Sequence, residues 1–316
     1  MGIVDSDEFC GRVARLYYGD ELTQAEIAEL LGVSRSVVSR CLSRARARRL
    51  VQIEVFDPEE VCRERAEIIR QLFGLRHVVV VPNTEDNDDE EAKRAVSDAA
   101  ALYLDSIVRD GSIIAVSWGT TMYEVAKRLI PRKLSGVKVV QLNGNARSSR
   151  THENAATILM NFAQAYSAEA YSLPVPAVTH SKALSSQLLA DPAISLAIDL
   201  ARRAEIAVFS IGFPDARSIL VESGYVTVQE IAELVARGAV GDVCSRYFGA
   251  NGEIIDPDLD ARTIGIGLSD LRDKAHSIGV AAGAHKARGI VGAARGGYVN
   301  TLIVDELAAL EMMRLV

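Results

Sequence analysis

Six arginines stand between Ser34 and Ile53, at positions 35, 40, 44, 46, 48 and 49, and no acidic residue interrupts them. Guanidinium groups are always charged and present forked N–H donors, so at this density they suit phosphate. Farther along, three short segments carry a different anion chemistry. Ser117-Trp118-Gly119-Thr120-Thr121 joins a glycine that lets backbone approach a ligand to two hydroxyls and a helix start with free N–H donors, although a plainly capped helix would read the same. Gln141-Leu142-Asn143-Gly144-Asn145 sets amides directly after an apolar run, where they could hydrogen-bond sugar hydroxyls or simply make a turn. Gly283-Ala284-His285-Lys286 puts a lysine in a first helical turn, where the helix dipole disfavours a cation and a bound anion would remove the penalty.

The arginines need a scaffold, and the residues before them supply it. Thr23 followed by Glu26 forms a capping box, and Ala25, Ile27, Ala28, Leu30 and Leu31 make an apolar stripe at helical spacing. Gly32 can end that helix, Val33 fills the corner, and Ser34 stands where it can cap the next. In the second helix Val37, Val38, Cys41, Leu42 and Ala45 share one face; Arg35, Ser36, Ser39, Arg40, Ser43 and Arg44 share the other. Two short helices about a tight Gly-Val turn, the second polar and arginine-bearing, predict a helix-turn-helix that enters a major groove. A preceding helix, Glu8 to Tyr18, closes a three-helix core, and the alternation Leu50 to Val55 predicts a strand and hence a winged variant. Ser34, Arg35, Ser36, Ser39 and Arg40 then lie where base edges are reached, Thr23 and Gln24 can clamp a phosphate, and Arg44, Arg46, Arg48 and Arg49 are better placed for phosphates or for no contact at all.

Asp57-Pro58 breaks the chain and sets the domain boundary, 1–57 against 58–316. Beyond a helix at Glu59 to Phe73, strand candidates alternate with helices. The strands are Val78 to Val81, Ser112 to Ser117, Val137 to Leu142, Ile206 to Ile211, Ile278 to Ala282 and Thr301 to Val304. The helices are Glu90 to Arg109, Thr121 to Leu129, Glu153 to Tyr166, Pro192 to Arg203, Thr227 to Ala236, His285 to Ala294 and Asp305 to Met313. That alternation predicts an α/β domain, a doubly wound and mostly parallel sheet whose ligands sit beyond the carboxyl ends of its strands.

Composition bounds the alternatives. At 316 residues with 49% apolar and 24% charged, the chain can bury two cores, which excludes disorder and fibre. No apolar run reaches bilayer length and the N-terminus has no basic leader, so a cytoplasmic protein without a membrane partner is expected. The net charge of −7, from 35 basic and 42 acidic residues, argues against nucleic acid only until it is divided: the stretch Asn83 to Glu91 is acidic, and the segment before Ile53 is basic. Cys10, Cys41, Cys62 and Cys244 lie 31, 21 and 182 residues apart, too scattered for zinc or disulfides. The five histidines lack metal spacing, there is no nucleophile elbow or P-loop, and Gly265-Ile266-Gly267 reads as a strand end, so no metal, cofactor or common catalytic motif is expected.

The pattern T-Q-A-E-I-A-x-x-L-G-V-S-R-S-x-V-S-R, followed by W-G-T-T, by Ile211-Gly212-Phe213, by Gly241-Asp242-Val243-Cys244-Ser245-Arg246-Tyr247-Phe248 and by the closing A-G-x-x-K-A, resembles the SorC family of sugar-binding transcriptional regulators over nearly the whole chain. The resemblance implies an effector domain similar to sugar-phosphate isomerases and glucosamine-phosphate deaminases, and a homodimer or homotetramer that binds operator DNA. It implies a phosphorylated sugar effector with Gly119, Thr120, Thr121 and Lys286 at the phosphate. Asp242 would accept hydrogen bonds from the sugar, with Gln141, Asn143, Gly144 and Asn145 nearby. Some relatives that recognise deoxyribose phosphate hold a lysine in the sugar loop for a Schiff base; Leu142 to Asn145 contains none, which argues against covalent capture. Two alternatives remain open, an isomerase or deaminase using Asp242 and Lys286 as acid and base, and a regulator governed by a protein partner.

Overall fold

A computed structural model of the chain describes residues 6–51, 57–83, 88–146, 155–216 and 218–316. It divides into two compact units, Met1–Asp57 and Pro58–Val316.

The first unit holds α1 (Asp7–Tyr18), α2 (Gln24–Leu31) and α3 (Arg35–Ala47). The capping box forms as spelled: Glu26 N–H donates to Thr23 Oγ1 at 3.3 Å and Thr23 N–H donates to Glu26 Oε2 at 2.8 Å. Gly32 ends α2 with φ 65°, in the left-handed conformation that a side chain would strain, and Val33 N–H donates to Ala28 O across the turn. Cys10, Val13, Ala14, Ile27, Val38, Cys41, Leu42 and Ala45 form the core. Three expectations need correction. Ala25 and Leu30 lie outside that core, Leu30 being 62% exposed, because so short a helix buries only the face that Ile27 centres. Ser34 precedes α3 but its hydroxyl caps nothing; it bonds instead to Ser36 Oγ at 2.8 Å. At the expected wing Leu50 and Val51 form a bend, and residues 52–56 lie outside the described residues.

In the second unit the order is α4 (Pro58–Phe73), β1 (His77–Val81), α5 (Asp89–Ile107), β2 (Ile113–Val116), α6 (Thr120–Arg128), β3 (Lys138–Gln141), α7 (Ala155–Tyr166), β4 (Glu169–Tyr171), α8 (Lys182–Leu189), α9 (Pro192–Arg203) and β5 (Ile206–Ser210). It continues with α10 (Ile219–Glu222), α11 (Val228–Ala236), β6 (Gly241–Val243), β7 (Arg246–Phe248), α12 (Pro257–Arg262), β8 (His276–Ala281), α13 (Ala287–Arg295), β9 (Thr301–Asp305) and α14 (Glu306–Arg314). Start signals match local chemistry: Asp191 caps α9 ahead of Pro192, and Thr227 with Glu230 repeats the capping box at α11.

Seven strands pair in the order β1-β9-β8-β5-β2-β3-β4, every pair parallel. Alternate residues feed two apolar layers. Phe209 packs with Ile69, Ile198, Ile290 and Met312 on one face, while Val208 packs with Leu104, Met122, Ile158 and Ile231 on the other, so helices cover both faces. From β2 the chain steps outward to β3 and β4, then returns to β5 and steps the other way to β8 and β9. Strand order therefore reverses between β2 and β5, and the crevice at their carboxyl ends is where such sheets bind ligands.

The three-residue strand β4 and the antiparallel hairpin β6–β7 lack the length to show a period, and neither is legible in the sequence. The segment expected to be a strand end, Gly265 to Gly267, instead makes an isolated antiparallel bridge from Gly265 to Asn143, bracing the loop after β3. Lys286 closes a short 3-10 turn, Ala284–Lys286, immediately before α13 rather than lying inside that helix. Among the described residues no helix is long and apolar enough to cross a membrane.

Candidate functional site

Four strand ends and the hairpin surround a cavity of about 490 Å³ at the reversal point of the sheet. The loop after β2 brings Ser117 and Gly119 and the start of α6 brings Thr120 and Thr121; the loop after β3 brings Asn143; that after β5 brings Gly212 and Phe213; the turn after β8 brings His285 and Lys286. The hairpin adds Asp242, Ser245 and Tyr247.

Asp242 owes its place to a neighbour with no side chain. Gly212 and Asp242 pair through their backbones at 2.8 and 3.3 Å, and a Cβ on residue 212 would lie 2.0 Å from Asp242 Oδ1. Only glycine allows that carboxylate its seat. Burial lifts the Asp242 carboxyl to about 6, against the opposing pull of the Ser245 N–H and of Lys286. Burial lowers the Lys286 ammonium from the ordinary lysine range, with Asp242 the largest influence resisting it. Among the described residues Lys286 makes no ion pair within 4.0 Å. Ser117 and Asn143 line the cavity, and among the described residues Ser117 Oγ and Asn143 Oδ1 are buried without a hydrogen-bond partner. A cation with no ion pair within 4.0 Å, sharing a cavity with a buried carboxylate and with hydroxyl and amide groups, can bind a ligand that carries both an anion and hydroxyls.

Of the residues singled out by sequence, Gly119, Thr120, Thr121, Asn143, Asp242 and Lys286 meet at this cavity, and Gln141, Gly144 and Asn145 do not line it. These three hold the loop. Gln141 donates to Asn145 Oδ1 at 2.9 Å and accepts from Leu173 N–H at 2.6 Å. Gly144 O accepts from Trp118 Nε1 at 2.7 Å, and Asn145 bridges to Pro176. An amide after a strand serves a ligand or a loop equally well, and tertiary packing decides which. Ser117, Gly212 and Tyr247 belong to the site although the sequence reading gave them no role; the fragments Ile211-Gly212-Phe213 and Arg246-Tyr247-Phe248 were the signal available.

In the first unit α3 carries no acidic residue, and Arg35, Ser36, Ser39 and Arg40 are exposed along one side. Among the described residues neither Arg35 nor Arg40 forms an ion pair, whereas Arg44 is tied to Asp7 Oδ1 at 3.0 Å. At the start of α2 the Thr23 hydroxyl already donates to Glu26 Oε2 at 2.7 Å, which leaves Gln24 as the free side chain there.

Comparison with known proteins places both units. Residues 57–314 match the family described as "Putative sugar-binding domain", and residues 12–48 match "Sigma-70, region 4", spanning the helix-turn-helix. The chain is 39% identical over 298 residues to the deoxyribonucleoside regulator of Bacillus subtilis (strain 168), covering 94% of each. The crystal structure of the full-length sorbitol operon regulator SorC from Klebsiella pneumoniae is similar with a TM-score of 0.75 and 28% identity, over 98% of this chain and 99% of that one. A domain of a possible sugar-binding transcriptional regulator from Arthrobacter aurescens TC1 is similar with a TM-score of 0.74 and 29% identity, over 82% of this chain and 99% of that one. With a helix-turn-helix ahead of a sugar-binding domain on a parallel sheet, the chain belongs to the SorC family of sugar-binding transcriptional regulators.

Proposed function

We propose that this chain represses a carbohydrate-metabolism operon and that a phosphorylated sugar in the cavity controls its affinity for operator DNA. The observation that carries the reading is the Lys286 ammonium, partly buried, with no ion pair within 4.0 Å among the described residues, on the same cavity as the start of α6. A phosphate there would meet Lys286, the hydroxyls of Thr120 and Thr121 and the backbone after Gly119, while Asp242 and Asn143 accept from sugar hydroxyls. On the DNA side Arg35, Ser36, Ser39 and Arg40 read base edges with Ser34 beside them; Gln24, Thr23 and Arg44 lie toward phosphates. In a cytoplasmic homodimer or homotetramer, paired recognition helices must match half-sites about 34 Å or a multiple apart. An effector that binds one quaternary arrangement more tightly then shifts the population toward it.

A thermal-shift panel of sugar phosphates against their unphosphorylated sugars tests the reading, since ligand at 100 times its Kd stabilises by about 2.7 kcal/mol. Lys286→Ala is expected to bind operator normally in fluorescence anisotropy and to lose at least a hundredfold in effector affinity. A Lys286→Ala protein that still responds to the same sugar phosphate would remove the basis for placing the phosphate at this residue.

A second reading, an isomerase or deaminase acting on sugar phosphates, draws on the Asp242 carboxyl near 6 and the lowered Lys286 ammonium, both suited to proton transfer around neutrality. Turnover of the same panel by the purified protein would favour it; none is expected.

A further inference from the structure

Two consecutive residues at the end of β9 hold two distant parts of the domain. Asp305, buried, accepts through Oδ1 from Gly283 N–H at 2.8 Å, and Gly283 opens the turn that carries Lys286. Glu306, the first residue of α14, accepts through Oε1 from Arg65 Nη1 of α4 and through Oε2 from Asn83 N–H at 3.3 Å. One carboxylate therefore fixes the lysine turn, and its neighbour in sequence fixes α4.

The elements around the two residues leave little slack. β9 lies between β1 and β8, with Asp305 level with Val81 and Val304 level with Ala281. Gly283 takes φ 97°, and a Cβ there would lie 2.6 Å from His285 Cε1, so the turn is confined to one path. α14 packs against both this turn and α4, and its Met312 is buried in one apolar cluster with Ile69 of α4. A close-packed interior passes a displacement on rather than absorbing it.

Charge supplies a cause for such a displacement. Lys286 lies in the field of Asp242, Asp305 and Asp89, so an anion that takes over its ammonium also repels Asp305. That repulsion acts on the residue joined directly to Glu306. At the other end of the link, α4 is the first helix after the boundary at Asp57, where the chain coming from the helix-turn-helix enters this unit. The Arg65–Glu306 pair is sheltered, its side chains 20% and 25% exposed, so bulk solvent screens it less than an exposed pair.

We infer that Glu306 and Arg65 are positioning residues that couple ligand binding at Lys286 to α4 and thereby to operator affinity. Neither residue lines the cavity. The inference rests on reading Lys286 as an effector contact, and it adds the route by which occupation of the cavity is felt outside it.

The test measures operator binding by the full-length protein with and without a probe. The probe is whichever of ribose 5-phosphate, 2-deoxyribose 5-phosphate, glucose 6-phosphate and fructose 6-phosphate changes operator affinity most. Glu306→Gln keeps an acceptor for Asn83 and removes the charge, while Arg65→Met keeps the side-chain length and removes the opposite charge. Each is expected to cut the ratio of the two operator affinities by about fivefold, and the double variant no further than either alone. Probe affinity without DNA should stay within about threefold, and Arg65→Lys should keep most of the ratio. A role in stability alone would lower the Tm and leave the ratio unchanged, a result that overturns the inference. Hydrogen exchange on the wild type puts the same question without a variant. The probe should alter protection at residues 58–73 as well as at 283–286, and a change confined to the cavity overturns the coupling. If no probe alters operator affinity in the wild type, it is the effector reading that falls, and this inference with it.

Discussion

The recognition helix and the effector cavity both present cations, but they handle water in opposite ways. Arg35 and Arg40 stand exposed on α3, so their charges keep their hydration in the free protein. Lys286 is partly buried under the influence of the Asp242, Asp305 and Asp89 carboxylates, so its ammonium has already given up part of its hydration. Many weak, screened interactions on one unit contrast with a few strong, sheltered ones on the other.

The largest expected effect separates these regimes directly. Raising salt from 50 to 200 mM should weaken operator binding by about 10³- to 10⁵-fold if 6–10 phosphates are contacted, while effector affinity moves by less than about tenfold. Anisotropy for DNA and calorimetry for effector, across the same salt series, would measure both. Equal slopes would erase the contrast.

Next in size is a test within the reading head. Arg40→Ala should weaken operator binding by about 1–3 kcal/mol with little change on random DNA, as loss of a base contact does, whereas Arg48→Ala should weaken both alike and lower the salt slope by about one at most. Equal losses on operator and random DNA for Arg40→Ala would move that residue to the phosphate class.

Within the cavity the contrast predicts a trade of function against stability. Asp242 is lifted to about 6 when folded from an ordinary 3.8, so the folded state binds its proton more tightly than the unfolded state does. The cost of ionising it is present above pH 6, falls as pH drops through that value, and is gone below about 3.8. Asp242→Asn is therefore expected to raise the stability of the effector-free protein by about 1–2 kcal/mol at pH 8, with the gain fading toward pH 4, while effector binding weakens. Denaturant melts at the two pH values would check the sign; a variant less stable at pH 8 than at pH 4, relative to wild type, contradicts it.

The two regions were not equally legible. The helix-turn-helix is written in adjacent residues: Thr23 with Glu26, Gly32 at the turn, apolar positions every three or four along α3. The cavity is assembled from separate segments spread between Ser117 and Lys286, and only those with a local signature could be read. Gly119-Thr120-Thr121 and Lys286 sit at strand-to-helix turns, where a glycine or an ill-placed cation shows itself. Ser117 and Tyr247 look like any serine and tyrosine until the fold brings them to the cavity wall. Gln141 and Asn145 looked like ligand groups for the opposite reason, because the sequence does not show that each satisfies the other. Gly212 becomes informative only when Asp242 is found pressed against it.

The smallest expected effect concerns Arg44, a predicted DNA contact that the fold partly withdraws. Arg44 pairs with Asp7 of α1 at 3.0 Å, and both side chains are solvent-accessible, so the pair contributes less than about 1 kcal/mol to stability. It nevertheless neutralises one cation of α3 and sets an anion beside that helix. Removing the arginine should therefore change operator affinity by less than about twofold, since its charge is already neutralised in place. Removing the acid should do more: Asp7→Ala frees Arg44, and a few-fold tighter, slightly more salt-dependent binding on operator and random DNA alike is expected. The asymmetry between the two variants is the measurement that matters. A large loss in Arg44→Ala with no gain in Asp7→Ala would mean that the guanidinium leaves its partner at no penalty when DNA binds, and that the exposed face of α3 includes it after all.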